Sequence, residues 1–423
     1  MKRATRLAGY AGVLLYCAGQ SSLVLGSSIP GSSTLGEPVS AADRALHERL
    51  LVLDTHLDTP RHFARPGWRI ADRHSFAVDL SQVDYPRMRD GGLDGGFWSI
   101  FTYQRALTPE GYADASAYAL RRAEEIRAMA YSEPEKFELA TTAADAERIA
   151  AAGKRIVFIS IENAYPLGED VGQLRRFYDL GVRMVGLVHS SANQFADSAT
   201  DSKRTWHGLS PAGVALVKEA NRLGMIVDAS HASDEAFDQM LALSRAPIIL
   251  SHSGCRAIHD HPRNIDDARI KALAARGGVI QINTVGQFLR DLPRNPQREA
   301  ALKPLRQKFG SLDDMSVQQA RQYTSARADI DRRYPVALAS LDDVMQQMLH
   351  AIHLVGADHV GIGADWDGGG GVAGMRDIVG LPQITARLRA AGVSEADIGK
   401  IMGGNALRVL RAAAATAQQG RRP

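Results

Sequence analysis

Eight short apolar runs, rich in Val and Ile, constrain the fold more than any other feature of the chain. They are "LLVLDTH" (50–56), "GGFWSIFT" (95–102), "RIVFISIE" (155–162), "RMVGLVHS" (183–190), "MIVDASH" (225–231), "PIILSH" (247–252), "GGVIQIN" (277–283) and "HVGIGAD" (359–365). Most are apolar at consecutive rather than alternate positions, so both faces must be buried. Strands of that kind belong to a parallel sheet covered by helices. Helical patterns lie between most of the runs. "EDVGQLRRFYDLG" (169–181) has helical apolar spacing and ends at Gly181. "SPAGVALVKEANRLG" (210–224) begins with a Ser cap and a Pro at the first helical position and stops at Gly224, and "IDDARIKALAARGG" (265–278) also closes with glycine. This alternation predicts an α/β chain folded as a (β/α)8 TIM-like barrel. A doubly wound open sheet is the alternative. It lacks support, because no Gly-rich dinucleotide fingerprint follows the first run, and "GIGADWDGGGG" has neither a helix start nor a P-loop lysine.

Residues 284–342 break the alternation. They are charged and helix-prone ("REAALKPLRQKFG", "SVQQARQYTSARADIDRRYP") and predict a helical insertion after strand seven, serving as a lid or as the contact of a homodimer. The barrel domain is expected over residues 36–412, with a C-terminal tail at 413–423 that includes part of an Ala-rich stretch (412–417).

The first residues read differently. Lys2, Arg3 and Arg6 precede a modest apolar stretch and then small residues, the layout of a secretory signal peptide cut after Gly26. Residues 1–35 are therefore assigned to a signal peptide and flexible N-terminus. Gly and polar residues interrupt the apolar stretch, so no stable membrane span is expected after cleavage. The mature protein is expected to be periplasmic or secreted from a bacterium. Tyr16 precedes Cys17 where a lipoprotein signal needs a small residue, which argues against a lipid anchor there. Cleavage leaves Cys255 as the one thiol, so a large core rather than a disulfide must hold the fold. Net charge is +3 over 423 residues, and no basic stripe is interleaved with aromatics, which excludes nucleic acid as a partner.

The runs end in chemistry. His56 and Asp58 end the first, Glu162 the third, His189 the fourth, His231 the fifth, His252 the sixth and Asp365 the eighth. Side chains two apart on a strand share a face, so His56 and Asp58 can converge on one point. Barrel active sites form at the C-terminal mouth from several strand ends. Only 13 of 423 residues are histidine, so four of eight runs reaching His is not a chance pattern. Imidazoles and carboxylates without thiolates suit Zn²⁺ or a similar ion, with Mn²⁺ and Co²⁺ accepted by the same donors. The set exceeds the three protein ligands of one catalytic zinc and fits two ions sharing a carboxylate. Glu162 lies between the two groups in barrel order and is the natural bridge. His56 and Asp58 would hold one ion, and His231 and His252 the other. A hydroxide between two such ions is a nucleophile at neutral pH, which leaves His189 and Asp365 for oxyanion stabilisation and proton handling.

The ordered set H-x-D, a carboxylate, "VHS", "DASH", "LSH", "RN" and "GIGADWDG" resembles the membrane (renal) dipeptidase family of the amidohydrolase superfamily, over about residues 45–412. The resemblance implies a (β/α)8 barrel with two zinc ions that hydrolyses dipeptides, L-Xaa-D-Xaa substrates among the candidates. It implies His56, Asp58, Glu162, His231 and His252 as zinc ligands with Glu162 bridging. It makes His189 the group that steadies the tetrahedral intermediate. Asp365 becomes the group that handles the proton of the attacking hydroxide and the leaving amine. Arg263, in "HPRNIDD", becomes the holder of the substrate's C-terminal carboxylate. The insertion resembles bacterial members. Asn163-Ala164-Tyr165 stands where mammalian members have Gly-Gly-His, in a loop expected to line the pocket. The rival reaction on the same metals is deacylation of an N-acyl amino acid, which shares the need for Arg263; a demand for a free α-amine separates the two.

Other residues carry weaker expectations. His207, His259 and His261 are read as solvated, Asp367 as a structural hydrogen-bonding group and Cys255 as buried and inert. Phe101, Tyr165 and Trp366 are candidates to line the pocket, with packing as the default, and Asn283 is a candidate substrate contact.

Overall fold

The Val- and Ile-rich runs form strands where the sequence places them. The computed structural model describes residues 38–420. Its barrel strands are β1 (Leu53–Leu57), β2 (Gly95–Phe101), β3 (Arg155–Glu162), β4 (Val182–Gly186), β5 (Ile226–Asp228), β6 (Ile249–Cys255), β7 (Val279–Ile282) and β8 (Val360–Ile362). They pair in chain order and in parallel throughout. The result is an α/β sheet of eight strands nearly closed into a barrel. Two further short strands were not legible as apolar runs: Phe137–Leu139 pairs with β3, and Asn264–Ile265 pairs with β6.

Side chains close the seam between β8 and β1, where no strand ladder forms among the described residues. The Asp54 carboxylate accepts the Ala364 N–H at 3.0 and 3.1 Å, and the Thr55 hydroxyl contacts the Ile362 carbonyl at 3.2 Å. Past the seam, the Asp58 N–H donates to the Trp366 carbonyl at 2.9 Å. Trp366, fully buried, belongs to this closure rather than to the pocket.

Helices cover the outside as the cap residues indicate. Helix Pro211–Leu223 starts where Ser210 accepts the Gly213 N–H, and stops at Gly224 in the left-handed conformation. The last helix, Asn405–Gln419, corrects the expected tail at 413–423. Its alanines are not a loose end, because Ala413 and Ala417 are buried. Leu407 and Leu410 from the same helix join Leu53, Phe97, Phe158, Met184, Ile226, Ile249 and Val279 in one buried cluster.

The insertion between β7 and helix Leu341–Val355 is helical, with helices Pro296–Phe309 and Val317–Arg333. It rests on the segment that follows β1, at the barrel mouth. The Val317 N–H donates to the Pro66 carbonyl at 3.1 Å, the Thr324 hydroxyl to the Val78 carbonyl at 2.8 Å, and Arg65 Nε to the Met315 carbonyl at 2.9 Å. No helix among the described residues is long and apolar enough to cross a membrane. The signal-peptide assignment over residues 1–35 and the Cys17 question lie outside the described residues.

Candidate metal centre and active site

His56 and His252 project from within β1 and β6, but His189, His231 and Asp365 do not sit on strands. Each lies three residues past its strand, which ends at Gly186, Asp228 and Ile362 respectively. The chain leaves the ladder early because the backbone turns sharply. His231 (φ 68°) and Asp365 (φ 64°) are left-handed, as is Asn163 (φ 67°) directly after Glu162. Such positions are costly for residues with a Cβ and cluster at functional sites. Asx-type bonds hold the turns: the side chains of Asp54, Asn163, Asp228 and Asn283 accept the N–H two residues on, from His56, Tyr165, Ser230 and Val285. The Asp365 carbonyl accepts N–H groups of Gly368, Gly369 and Gly370. A Cβ on Gly368 would overlap the carboxylates of both Asp365 and Asp58, so only glycine fits there.

These turns bring all seven candidates together. Glu162 is at the centre and divides its oxygens. Oε2 lies 3.3 Å from His56 Nε2, which is 3.7 Å from Asp58 Oδ2. Oε1 lies 3.0 Å from His231 Nε2, 3.4 Å from His252 Nε2 and 3.6 Å from His189 Nε2. Three overlapping groups have their ligand atoms within 4.8 Å of one another: His56, Glu162 and His252; Glu162, His189 and His231; His56, Asp58 and Asp365. His189 and Asp365 thus lie within ligand range as well.

Several features fit these residues to divalent ions. His56 Nε2 and Asp58 Oδ1 are buried with no hydrogen-bond partner, in the midst of other donor-type side chains. The Ser251 hydroxyl donates to Asp228 Oδ2 at 2.5 Å and so accepts from His252 Nδ1 at 2.8 Å. That relay leaves His252 Nε2 unprotonated and facing Glu162, the tautomer a metal ligand requires. Burial, with Arg263 nearby, holds His231 well below the usual imidazole range; burial, with His56 and Arg263 nearby, does the same to His252. Neutral imidazoles are the metal-binding form. Burial works against charge on His56 too, but the facing carboxylates of Glu162 and Asp58 raise it well above its ordinary value. Burial would raise Glu162, yet His56 and His189 beside it hold it well below the usual carboxylate range. Burial pushes Asp365 up to about 7, with Asp58 and Glu162 adding to the rise and His56 and Arg263 opposing it.

A cavity of about 210 Å³ opens over this cluster. Asp58, Glu162, His189 and Asp365 form its base, and Phe101 lines it with its ring edge-on to His189 at 4.8 Å. The volume is below the roughly 300–1,000 Å³ of drug-sized pockets and suits a ligand of dipeptide size. Arg61, Tyr103, Tyr118, Arg122 and Asp313 also line it, and sequence reasoning singled out none of them. Their signal was tertiary: they come from the segments after β1 and β2, from helix Pro109–Ser132 and from the insertion.

Arg263 is buried next to the cluster and is not among the residues that line the cavity. Its Nη2 donates to the His252 carbonyl at 3.0 Å, its guanidinium lies over the Phe288 ring at 5.3 Å, and its Nε has no partner. His261 is half-buried rather than solvated and accepts the Arg263 N–H at 3.1 Å. His207 is exposed and His259 half-buried. The loop 163–165 does not line the cavity: Tyr165 is fully buried and its hydroxyl bonds the Ala106 carbonyl at 2.8 Å. Asp367 is structural, taking the Gln82 N–H at 2.7 Å and the Thr59 hydroxyl at 2.7 Å. Cys255 is buried, its thiol pushed up to about 12 by burial. Asn283 is buried away from the cavity.

A parallel barrel with imidazoles and carboxylates gathered at its mouth defines a metal-dependent hydrolase. The pattern of the membrane dipeptidase family (peptidase family M19) matches residues 40–423, and the chain belongs to that family of dipeptidases. Among curated relatives it is 31% identical over 338 residues to an uncharacterized dipeptidase of Schizosaccharomyces pombe, covering 78% of this chain and 72% of the relative. It is 30% identical to dipeptidase tcpJ of Claviceps purpurea, covering 81% and 72%. Among solved structures it resembles the probable dipeptidase PvdM of Pseudomonas aeruginosa, with a TM-score of 0.75 and 32% identity over 89% of this chain and 98% of that one. A Rhodobacter sphaeroides metallo peptidase liganded with a phosphinate mimic of L-Ala-D-Ala matches with a TM-score of 0.68 and 25% identity, over 86% and 99%.

Proposed function

We propose that this dipeptidase cleaves dipeptides with a free C-terminal carboxylate, L-Xaa-D-Xaa included, using two divalent ions per chain. The observation that carries the reading is the division of Glu162: one oxygen faces His56, the other faces His231 and His252. That is what a carboxylate shared between two ions presents. His56 and Asp58 would hold one ion, and His231 and His252 the other, with Zn²⁺ the first choice and Mn²⁺ or Co²⁺ compatible with the same donors. When bound, the ions supply activated water and a Lewis acid for the scissile carbonyl.

The chain's own residues do the rest. Asp365 shares a group with His56 and Asp58, and that position supports it as the base that takes a proton from the attacking water. It carries that proton to the departing amine, a poor leaving group unless protonated. His189 reaches the cavity beside Glu162 and is held by the Ser190 hydroxyl at 2.9 Å from its Nδ1. Its Nε2 donates to the oxygen that gains charge. Arg263, with an unpartnered Nε, takes the substrate carboxylate. The N-terminal leader read from the sequence would deliver the enzyme outside the cytoplasm.

The direct test is hydrolysis of L-Ala-L-Ala and L-Ala-D-Ala by zinc-loaded protein. Cleavage of both is expected. Cleavage of N-acetyl-alanine in preference to either dipeptide would favour deacylation instead.

A further inference from the structure

Four carboxylates line the cavity. Asp58, Glu162 and Asp365 belong to the ligand groups, and Asp313 does not. Asp313 comes from the insertion, in the turn Leu312–Asp314 between its two helices. Its side chain is 16% exposed, and its Oδ1 accepts Arg61 Nε at 2.6 Å. Its Oδ2 meets the Tyr103 hydroxyl at 3.4 Å, near the outer limit of a hydrogen bond. An ionised carboxylate has about four acceptor sites, so Asp313 keeps capacity for another donor on the cavity side.

Its position matters as much as its charge. β6, which carries His252 with Arg263 beside it, lies four strands from β2 in the pairing order. In a barrel of eight that is directly across the mouth. Tyr103 follows β2, so the wall made by Tyr103, Arg61 and Asp313 stands across the mouth from β6 and its His252. A dipeptide is a short zwitterion with the scissile amide between its charges. With its carboxylate toward Arg263 and its amide over the Glu162 cluster, its ammonium points at this wall.

We propose that Asp313 binds the free α-ammonium group of the substrate, so that the insertion supplies the group that selects dipeptides over N-acylated amino acids. Arg61 and Tyr103 touch the Asp313 carboxylate, but the charge that reads the amine is that of Asp313 itself. This inference rests on the dipeptidase reading above and adds the residue that reads the amine.

The test pairs a change in the protein with a change in the ligand. The zinc-loaded enzyme is titrated calorimetrically with a phosphinate mimic of L-Ala-D-Ala and with the same mimic lacking its amino group. A charge-assisted hydrogen bond predicts that wild type prefers the amine-bearing mimic by roughly 10- to 100-fold. Asp313→Asn, and Asp313→Ala as a second variant, should reduce that preference to near unity, leave affinity for the des-amino mimic and the zinc content unchanged, and raise KM for L-Ala-L-Ala more than they lower kcat. Arg61→Gln removes the ion pair but leaves the carboxylate, so it should retain the preference. An undiminished preference in both Asp313 variants would overturn the assignment. So would an equal loss in Arg61→Gln, which would reduce Asp313 to a support of the cavity wall. A wild-type enzyme that turns over no dipeptide at all would instead overturn the parent reading.

Discussion

A methyl group on Gly368 would run into the carboxylates of Asp365 and Asp58. Gly368→Ala is therefore expected to move both groups while leaving the barrel folded. Displacing a reacting group by about 1 Å costs on the order of 100-fold in rate, so kcat for L-Ala-L-Ala should fall by about that factor with little change in Tm. Asp365 itself allows a sharper distinction, because it lies in a ligand group and is also the proposed proton carrier. Asp365→Asn keeps the shape and removes the proton carrier. The expected outcome is near-normal metal content with kcat lowered by roughly 100-fold or more. Metal lost in step with rate would make Asp365 a ligand instead. Arg263→Lys exchanges a bidentate fork for a point charge. It should raise KM or cut kcat/KM for free-acid dipeptides with metal content intact, and wild-type kinetics would place the carboxylate elsewhere.

At the scale of elements, the seam between β8 and β1 depends on Asp54. Its carboxylate takes the N–H groups of His56 and Ala364, both buried, and so ties the strand of the first ligands to the loop that bears Asp365. Asp54→Ala would leave two buried donors unpaired, at about 1–3 kcal/mol each. Urea unfolding of the metal-free protein should show a loss of at least about 2 kcal/mol; an unchanged midpoint would mean the seam is held otherwise. The segment under the insertion has a pH-dependent brace, His74 Nδ1 to Asp79 Oδ2 at 2.5 Å. Burial would raise Asp79, but His74 and Ser81 hold it down to about 2. Burial would lower His74, but Asp79 raises it above 6.5. The Asp79 contribution is present above 3.8 and lost as pH falls toward 2. The His74 contribution is present below 6.5 and lost as pH rises through its elevated folded value. His74→Gln should therefore lower Tm most between pH 3.8 and 6.5 and progressively less in alkali. A uniform loss at all pH values would reduce the pair to packing.

For the whole molecule, what could be read in advance was what is local. A short apolar run rich in Val and Ile and bounded by turn residues reads as a buried strand, and eight of them with helices between leave few arrangements. The convergence of His56, Glu162, His231 and His252 followed because parallel strands bring their C-terminal ends to one mouth. The missed features depend on register and tertiary contact. Nothing local marks Asp54 as the closing bond of the sheet, since its partner is 310 residues away. The Ala-rich end looked like a tail, because alanines advertise burial only once Gly224 and the helix Pro211–Leu223 are beside them. Asp313 enters the cavity through an insertion whose docking the sequence pattern does not encode, and meets there Arg61 from the turn after β1. The whole account turns on a two-ion centre divided by Glu162, and the most direct measurement is stepwise zinc titration of the metal-free enzyme, with bound metal and L-Ala-L-Ala hydrolysis followed together. The account predicts that activity reaches its plateau as the second ion per chain is bound, and that Glu162→Ala retains neither ion. Full activity with one ion bound per chain, or two ions bound without any dipeptide hydrolysis, would contradict it.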